Sequence, residues 1–139
     1  MDTPQGLLVP VVRDVQNHSI SSLATEIERL SRLAKDGKLG VSDFKGATFS
    51  VSNIGSIGGG VVSPIVVPPM VGIVCVGKMR AVPAFGKDEI GRVEIVKKEE
   101  VVWSWSADHR VLDGATVARC AEMVGELLAD INVLAVLLR

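Results

Sequence analysis

At 139 residues with a formal net charge of -1, the chain is sized for one compact domain, with no basic surplus for nucleic acid and no one-sided field to draw a charged partner. Apolar residues make up 47% and charged residues 22%, a globular balance that argues against disorder. The longest apolar region, residues 61–77, is interrupted by Pro64, Pro68 and Pro69 and cannot be a membrane helix, so a soluble protein is expected.

The N-terminus, Met1-Asp2-Thr3-Pro4, carries no charged leader followed by an apolar core. Residues 6–12 form an apolar run bounded by Pro4 and Arg13 and read as a buried strand. Ser19 is placed to cap a helix whose apolar stripe is Ile20, Leu23, Ala24, Ile27, Leu30 and Ala34, with Gly37 ending it. His18, beside the cap, is expected at the surface, and the sequon Asn17-His18-Ser19 is discounted for want of a secretory signal. Residues 38–46 are a polar connection.

Residues 48–52 alternate as a strand and deliver Ser52 and Asn53 onto Gly55-Ser56-Ile57-Gly58-Gly59-Gly60. A phosphate-cradling loop is rejected, because no Gly-Lys-Ser/Thr follows and the glycine spacing is wrong. The glycines instead let backbone pass close to a ligand or a neighbouring strand, with Ser52 held at the strand end. Residues 64–69 read as an extended connector, and 71–77 as a buried strand. Residues 81–92 suggest a hairpin-like excursion. Two strands, 93–96 and 101–106, are expected to pair antiparallel across the charged turn Lys97-Lys98-Glu99-Glu100. Cys75, in the buried strand, and Cys120, on a helix, are expected as buried reduced thiols. Neither has metal-ligand spacing with His18 or His109, and no metal site is assigned.

The second of those strands alternates Val101, Trp103 and Trp105 against Val102, Ser104 and Ser106, then breaks at Asp108-His109-Arg110 and restarts as a helix after Gly114. A strand-to-turn junction holds its last side chains rigidly while leaving them reachable, as a general base requires, so His109 is the candidate base. Asp113 suits the positive end of the following helix. That helix carries Ala118, Ala121, Val124, Leu127, Leu128 and Ile131 at helical spacing, and the apolar residues 133–138 suit a core or a subunit contact.

Asp108-His109-Arg110-Val111-Leu112-Asp113-Gly114 resembles the C-terminal signature of the dihydrolipoamide acyltransferases, the core subunits of the 2-oxo acid dehydrogenase complexes. The shorter His-x-x-x-Asp-Gly is shared with chloramphenicol acetyltransferases. Thr3-Pro4-Gln5-Gly6-Leu7-Leu8-Val9-Pro10-Val11 and Thr48-Phe49-Ser50-Val51-Ser52-Asn53-Ile54-Gly55-Ser56-Ile57-Gly58-Gly59 resemble further blocks of the lipoamide enzymes, in the expected order. With Pro64 and the Pro68-Pro69 pair, the second block is most like the branched-chain type.

The resemblance implies a two-layer α/β domain, chloramphenicol-acetyltransferase-like, with a mixed sheet covered by helices. It implies residues 1–139 as the C-terminal portion of one catalytic domain, N-terminally truncated, with the lipoyl and peripheral-subunit-binding domains absent. It also implies acyl transfer, of a branched-chain group such as isobutyryl, between dihydrolipoamide and coenzyme A. His109 would be the general base, Ser52 the oxyanion donor, and Asp113 the residue that fixes the loop or the imidazole. Expected partners are further copies, as a homotrimer with the active site at the subunit interface, serine and histidine coming from different chains, assembling into a larger core, with the decarboxylase and dihydrolipoamide dehydrogenase components reached through the absent domains. The compartment would be the mitochondrial matrix or bacterial cytoplasm.

The chemistry is coherent on its own terms. An imidazole takes the proton of a thiol held against it, the thiolate attacks a thioester carbonyl, and the oxyanion formed needs a donor. No cysteine or serine stands beside His109 in sequence, which favours direct transfer between two thiols over an acyl-enzyme. A non-catalytic scaffold subunit of the same complex is the alternative; such a protein would be expected to have lost the histidine.

Overall fold

A computed structural model of the chain describes all residues except 5, 131, 133 and 135–139. It divides into two compact units, Met1–Thr48 with Ala118–Arg139, and Phe49–Val117. The class is mixed α/β, as the alternation of helical and strand periods leads one to expect.

In the first unit, β1 (Asp2–Thr3) and β2 (Gly6–Leu7) form a minimal hairpin in which Thr3 Oγ1 donates to the Gly6 carbonyl at 2.7 Å. The strand expected over 6–12 stops there. Leu7 is 74% exposed, Pro10 has no N–H to give a ladder, and beyond Leu8, whose N–H still donates to Met1 O at 3.0 Å, the only backbone bond among the described residues 9–12 is Val11 N–H to Asp43 O at 2.8 Å.

Helix α1 (Ile20–Lys35) is capped as its sequence demands: Ser19 Oγ accepts from Ser22 N–H at 3.1 Å. It closes in a Schellman turn, Gly37 N–H to Ala34 O and Lys38 N–H to Leu33 O, with Gly37 at φ +67° where a side chain would be strained. The buried side is narrower than the apolar stripe. Leu30 and Ala34 are buried, whereas Ile20 and Ile27 are exposed and Glu26, which accepts from Nε and Nη2 of Arg29 at 2.7 Å each, lies half-buried.

The second unit is built on β4 (Gly72–Val76), the most buried segment of the chain. It pairs in parallel with β3 (Ser50–Asn53) and antiparallel with β7 (Trp103–Ala107), giving a three-stranded mixed sheet in the order β3-β4-β7. Ile73, Val74 and Cys75 are buried, consistent with the apolar run expected for a central strand. Trp105 packs on Phe49, ring centroids 6.0 Å apart, and Gly72 leaves room for that ring: a Cβ there would lie 2.8 Å from Phe49 Cε2.

The expected pairing of 93–96 with 101–106 is not formed. Instead β5 (Arg80–Lys87) and β6 (Val93–Glu100) make an antiparallel ribbon, and the run Lys97-Lys98-Glu99-Glu100 lies inside a strand. The turn sits where its chemistry is: Asp88 Oδ1 accepts from Ile90 and Arg92 N–H, and Gly91 takes φ +82°. The charged run contains no such residue, and on an exposed ribbon charges are tolerated on both faces. One face of the ribbon aligns Phe85 with Ile95, 85% and 74% exposed, with Val93 beside them.

Helix α2 (Gly114–Ala129) turns Val117, Ala121, Val124 and Leu127 inward to half-burial, while Ala118 and Leu128 are exposed. Ile131 and most of the apolar residues 133–138 lie outside the described residues. Cys120 is exposed rather than buried, and both thiols are free.

The narrow buried side of α1 separates two substitutions. Leu30→Ala is expected to cost about 2–5 kcal/mol, and Ile27→Ala at the exposed flank within about 0.5 kcal/mol; urea unfolding of both variants checks this.

Candidate active site

Paired residues on neighbouring strands share a face, so the register puts Ser50, Ser52, Ile73, Cys75, Ser104 and Ser106 on one side of the sheet and Val51, Asn53, Val74, Val76, Trp103 and Trp105 on the other. Ser52 stands in one rung with Cys75 and Ser104. It is half-buried near the end of β3, and Ser104 Oγ accepts from Val62 N–H at 3.3 Å, tying down the exit of the glycine-rich segment.

That segment is packed against backbone. A Cβ on Gly77 would lie 3.0 Å from the carbonyl oxygens of Gly59 and Gly60, and one on Gly55 would lie 3.0 Å from that of Gly77. Lys78 N–H donates to Gly59 O at 3.0 Å, and Ile54 O accepts from Ile57 and Gly58 N–H at 2.9 Å. Of the two purposes expected for the glycines, close passage beside a neighbouring strand is the one realised here.

His109 lies on the turn leaving β7, with an exposed side chain. The turn is anchored on both flanks. Asp108 N–H donates to Val71 O at 2.9 Å, and Asp108 O accepts from Val111 and Leu112 N–H at 3.0 Å. The Asp108 carboxylate accepts from Arg110 N–H at 3.0 Å and from its guanidinium at 2.5–3.1 Å, which pulls its pKa down to about 2. Asp113 caps α2, its Oδ1 accepting from Thr116 N–H at 2.6 Å. That bond, with further bonds to Thr116 and Ala115 and the nearby charge of His109, holds the Asp113 carboxyl below its ordinary value. Among the described residues no group of three or more His, Cys, Asp or Glu could hold a metal ion, and no helix is long and apolar enough to cross a membrane.

Within one chain the candidates do not converge. Ser52 is level with Cys75, while Asp108 is level with Val71, four residues back along β4 and two strands across. At about 3.3 Å per residue and about 4.8 Å per strand, the backbones of Ser52 and Asp108 stand roughly 16 Å apart, with His109 one residue beyond, more than the Ser52 and His109 side chains can bridge. Sequence reading placed Asp108 in the motif without giving it a role, yet its i+2 spacing to Arg110 N–H is a recognisable Asx-turn signal.

The mixed sheet carries a serine on its parallel edge strand and ends its antiparallel edge strand in an anchored histidine turn, within a fold shared with acyltransferase catalytic cores. A family profile described as 2-oxoacid dehydrogenases acyltransferase (catalytic domain) matches residues 1–136, and the chain belongs to that family. It is 46% identical over 123 residues to the lipoamide acyltransferase component of the branched-chain alpha-keto acid dehydrogenase complex of Bos taurus, covering 88% of this chain and 25% of that protein. It is 42% identical over 133 residues to the acetyltransferase component of the pyruvate dehydrogenase complex of Azotobacter vinelandii, covering 95% and 20%. The chain thus spans about a quarter of the length of the curated relatives it matches.

Among solved structures, the A. vinelandii dihydrolipoamide acetyltransferase superposes with a TM-score of 0.82 at 42% identity, over 94% of this chain and 51% of that one; the work on it concerned a serine, a histidine and an asparagine in the catalytic mechanism. A truncated catalytic core from Thermoplasma acidophilum gives 0.77 at 30% identity, over 94% and 55%.

The cap predicts a pH-dependent stability. A carboxyl lowered on folding stabilises above its unfolded value, about 3.9, and that stabilisation is lost as pH falls through the depressed value. Asp113→Ala is therefore expected to lower Tm by a near-constant amount above about pH 5 and by a shrinking amount below about pH 4. Asp113→Asn, which still accepts from Thr116 N–H, is expected to retain most of the cap. Thermal scans across pH check both.

Proposed function

We propose that the protein is a dihydrolipoamide acyltransferase of a 2-oxo acid dehydrogenase complex, moving an acyl group between the thiols of dihydrolipoamide and coenzyme A. The observation that carries the reading is the pairing of an exposed histidine on a doubly anchored turn with a half-buried serine on a serine-lined strand face, in a chain matched to this family over residues 1–136.

His109 takes the proton of the attacking thiol, and the thiolate adds to the thioester carbonyl. The Ser52 hydroxyl donates to the oxyanion as charge develops on it. The intermediate collapses, expelling the second thiol as thiolate, and His109 returns the proton to it. No acyl-enzyme is required. The serine and histidine named for the A. vinelandii enzyme support these two roles. Its asparagine stands four residues after the histidine, as Asp113 stands after His109. A neutral side chain at that point supports a loop-fixing role for Asp113, through its cap on α2, over a role that needs the charge.

The separation of Ser52 and His109 within one chain supports a site completed by a second copy. The exposed Phe85, Ile95 and Val93 offer the apolar area such an assembly needs. A homotrimer with the serine of one copy facing the histidine of the next satisfies both features, and trimers assembling into a larger core fit the cubic-core structure to which this chain is similar at a TM-score of 0.82. The 46% identity to the branched-chain relatives of Bos taurus, Mus musculus and Caenorhabditis elegans, against 42% and 43% for the acetyltransferases of Azotobacter vinelandii and Pseudomonas aeruginosa, favours a branched-chain acyl group. Pocket discrimination between such groups and acetyl is worth about 1–3 kcal/mol. Relatives from mitochondria and from bacteria leave the matrix or the bacterial cytoplasm as the proposed compartment. The proposed domain is the C-terminal part of a longer catalytic domain.

Acyl transfer from isobutyryl-CoA and acetyl-CoA to dihydrolipoamide, measured on the full-length protein, tests this. His109→Ala is expected to lower kcat by about 10²–10⁴, Ser52→Ala by about 10²–10³, and isobutyryl is expected to be preferred. An active His109→Ala variant refutes the mechanism, and an inactive but assembled wild type points to a scaffold subunit.

A further inference from the structure

The histidine turn is held by one residue more than by any other. Asp108 uses every hydrogen-bonding group it has on this short stretch. Its N–H reaches back to Val71 O at the head of β4, its carbonyl accepts from both Val111 and Leu112, and its carboxylate closes onto Arg110 N–H. His109 is thus enclosed between a residue tied to the sheet and a residue tied to that first one.

The two members of the Asp108–Arg110 pair are not equal. The Asp108 side chain is 21% exposed, whereas that of Arg110 is 88% exposed and faces water. An ion pair on so exposed a guanidinium contributes little, because solvent screens it and the long side chain loses freedom. The bond from Oδ1 to the Arg110 amide is different in kind. It sets the backbone direction on either side of His109, and an Asx turn keeps that geometry whether the acceptor is charged or neutral.

We propose that Asp108 is the positioning residue for His109, acting through its Oδ1 bond to the Arg110 amide rather than through the ion pair with the Arg110 guanidinium. The proposal rests on the reading of His109 as the base. Loss of the bond lets the imidazole wander from the reacting thiol, and a displacement of about 1 Å costs on the order of 10²-fold in rate. Substrate binding is untouched, since Asp108 carries no contact to it in this account.

The test uses the full-length, assembled protein. Asp108→Ala is expected to lower kcat by about 30- to 100-fold with KM for both thiol substrates nearly unchanged. Asp108→Asn, which keeps the Oδ1 acceptor, is expected to recover kcat to within about fivefold of wild type, and Arg110→Ala to stay in that range. In the unmodified protein, hydrogen exchange should find the Arg110 amide protected despite its exposed side chain. Wild-type kcat in Asp108→Ala, an Asn variant as impaired as the Ala variant, or fast exchange at Arg110 in the wild type would each overturn the proposal. If the Ala variant fails to assemble, the exchange measurement decides. A parallel His109→Ala separates the failures: full activity there overturns this proposal with the reading beneath it, whereas an inactive His109→Ala beside a fully active Asp108→Ala overturns this proposal alone.

Discussion

Everything at the candidate site is referred to β4. A five-residue apolar strand, paired on both sides and buried along its centre, is the rigid ruler against which both candidates are measured. Its parallel partner β3 carries Ser52 to the level of Cys75, and its antiparallel partner β7 runs the opposite way and leaves His109 beyond the level of Gly72. Because the two neighbours run in opposite directions, the strand ends bearing serine and histidine emerge at opposite ends of the sheet. A shift of register by one residue would also turn Ser52 to the tryptophan face, so the pairing of β4 settles which side chains are available as well as where they stand.

Much of this was legible in the chain itself, and the reasons differ by element. Helix α1 announced both ends, Ser19 and Gly37, because capping chemistry is local and has few solutions. The buried strand was legible from its uninterrupted apolar run, and the histidine turn from the abrupt end of the Trp103–Trp105 alternation. Pairing was not legible. Adjacency in sequence suggested joining the strands on either side of Lys97-Lys98-Glu99-Glu100, but partner choice followed the Asp88–Gly91 turn and a long-range return of β7 to β4. Periodicity reports that a face alternates; it does not report which strand lies beside it.

The same limit governed burial. Ile20 and Ile27 repeat at helical spacing with Leu30, yet only Leu30 and Ala34 are buried, and Phe85, Ile95 and Val93 form an apolar face open to solvent. Apolar pattern marks surface that is favoured out of water without naming what covers it. For the site, His109, Ser52 and Asp113 were all visible as residue types at telling positions. Their mutual distance was not visible in the residues themselves, since it depends on strand direction; only the family resemblance implied that they come from different chains, and that distance is what makes a single chain an incomplete site in the proposed mechanism.

The central claim is that the base and the oxyanion donor act across two copies. The direct measurement is complementation: assemble the full-length Ser52→Ala and His109→Ala variants separately, then co-assemble them in equal amounts and assay acyl transfer. With random mixing in a cyclic assembly, about one quarter of the interfaces join an intact Ser52 to an intact His109, and activity near a quarter of wild type is expected. Activity no greater than that of the separate variants, in assemblies shown to be mixed, would contradict the account.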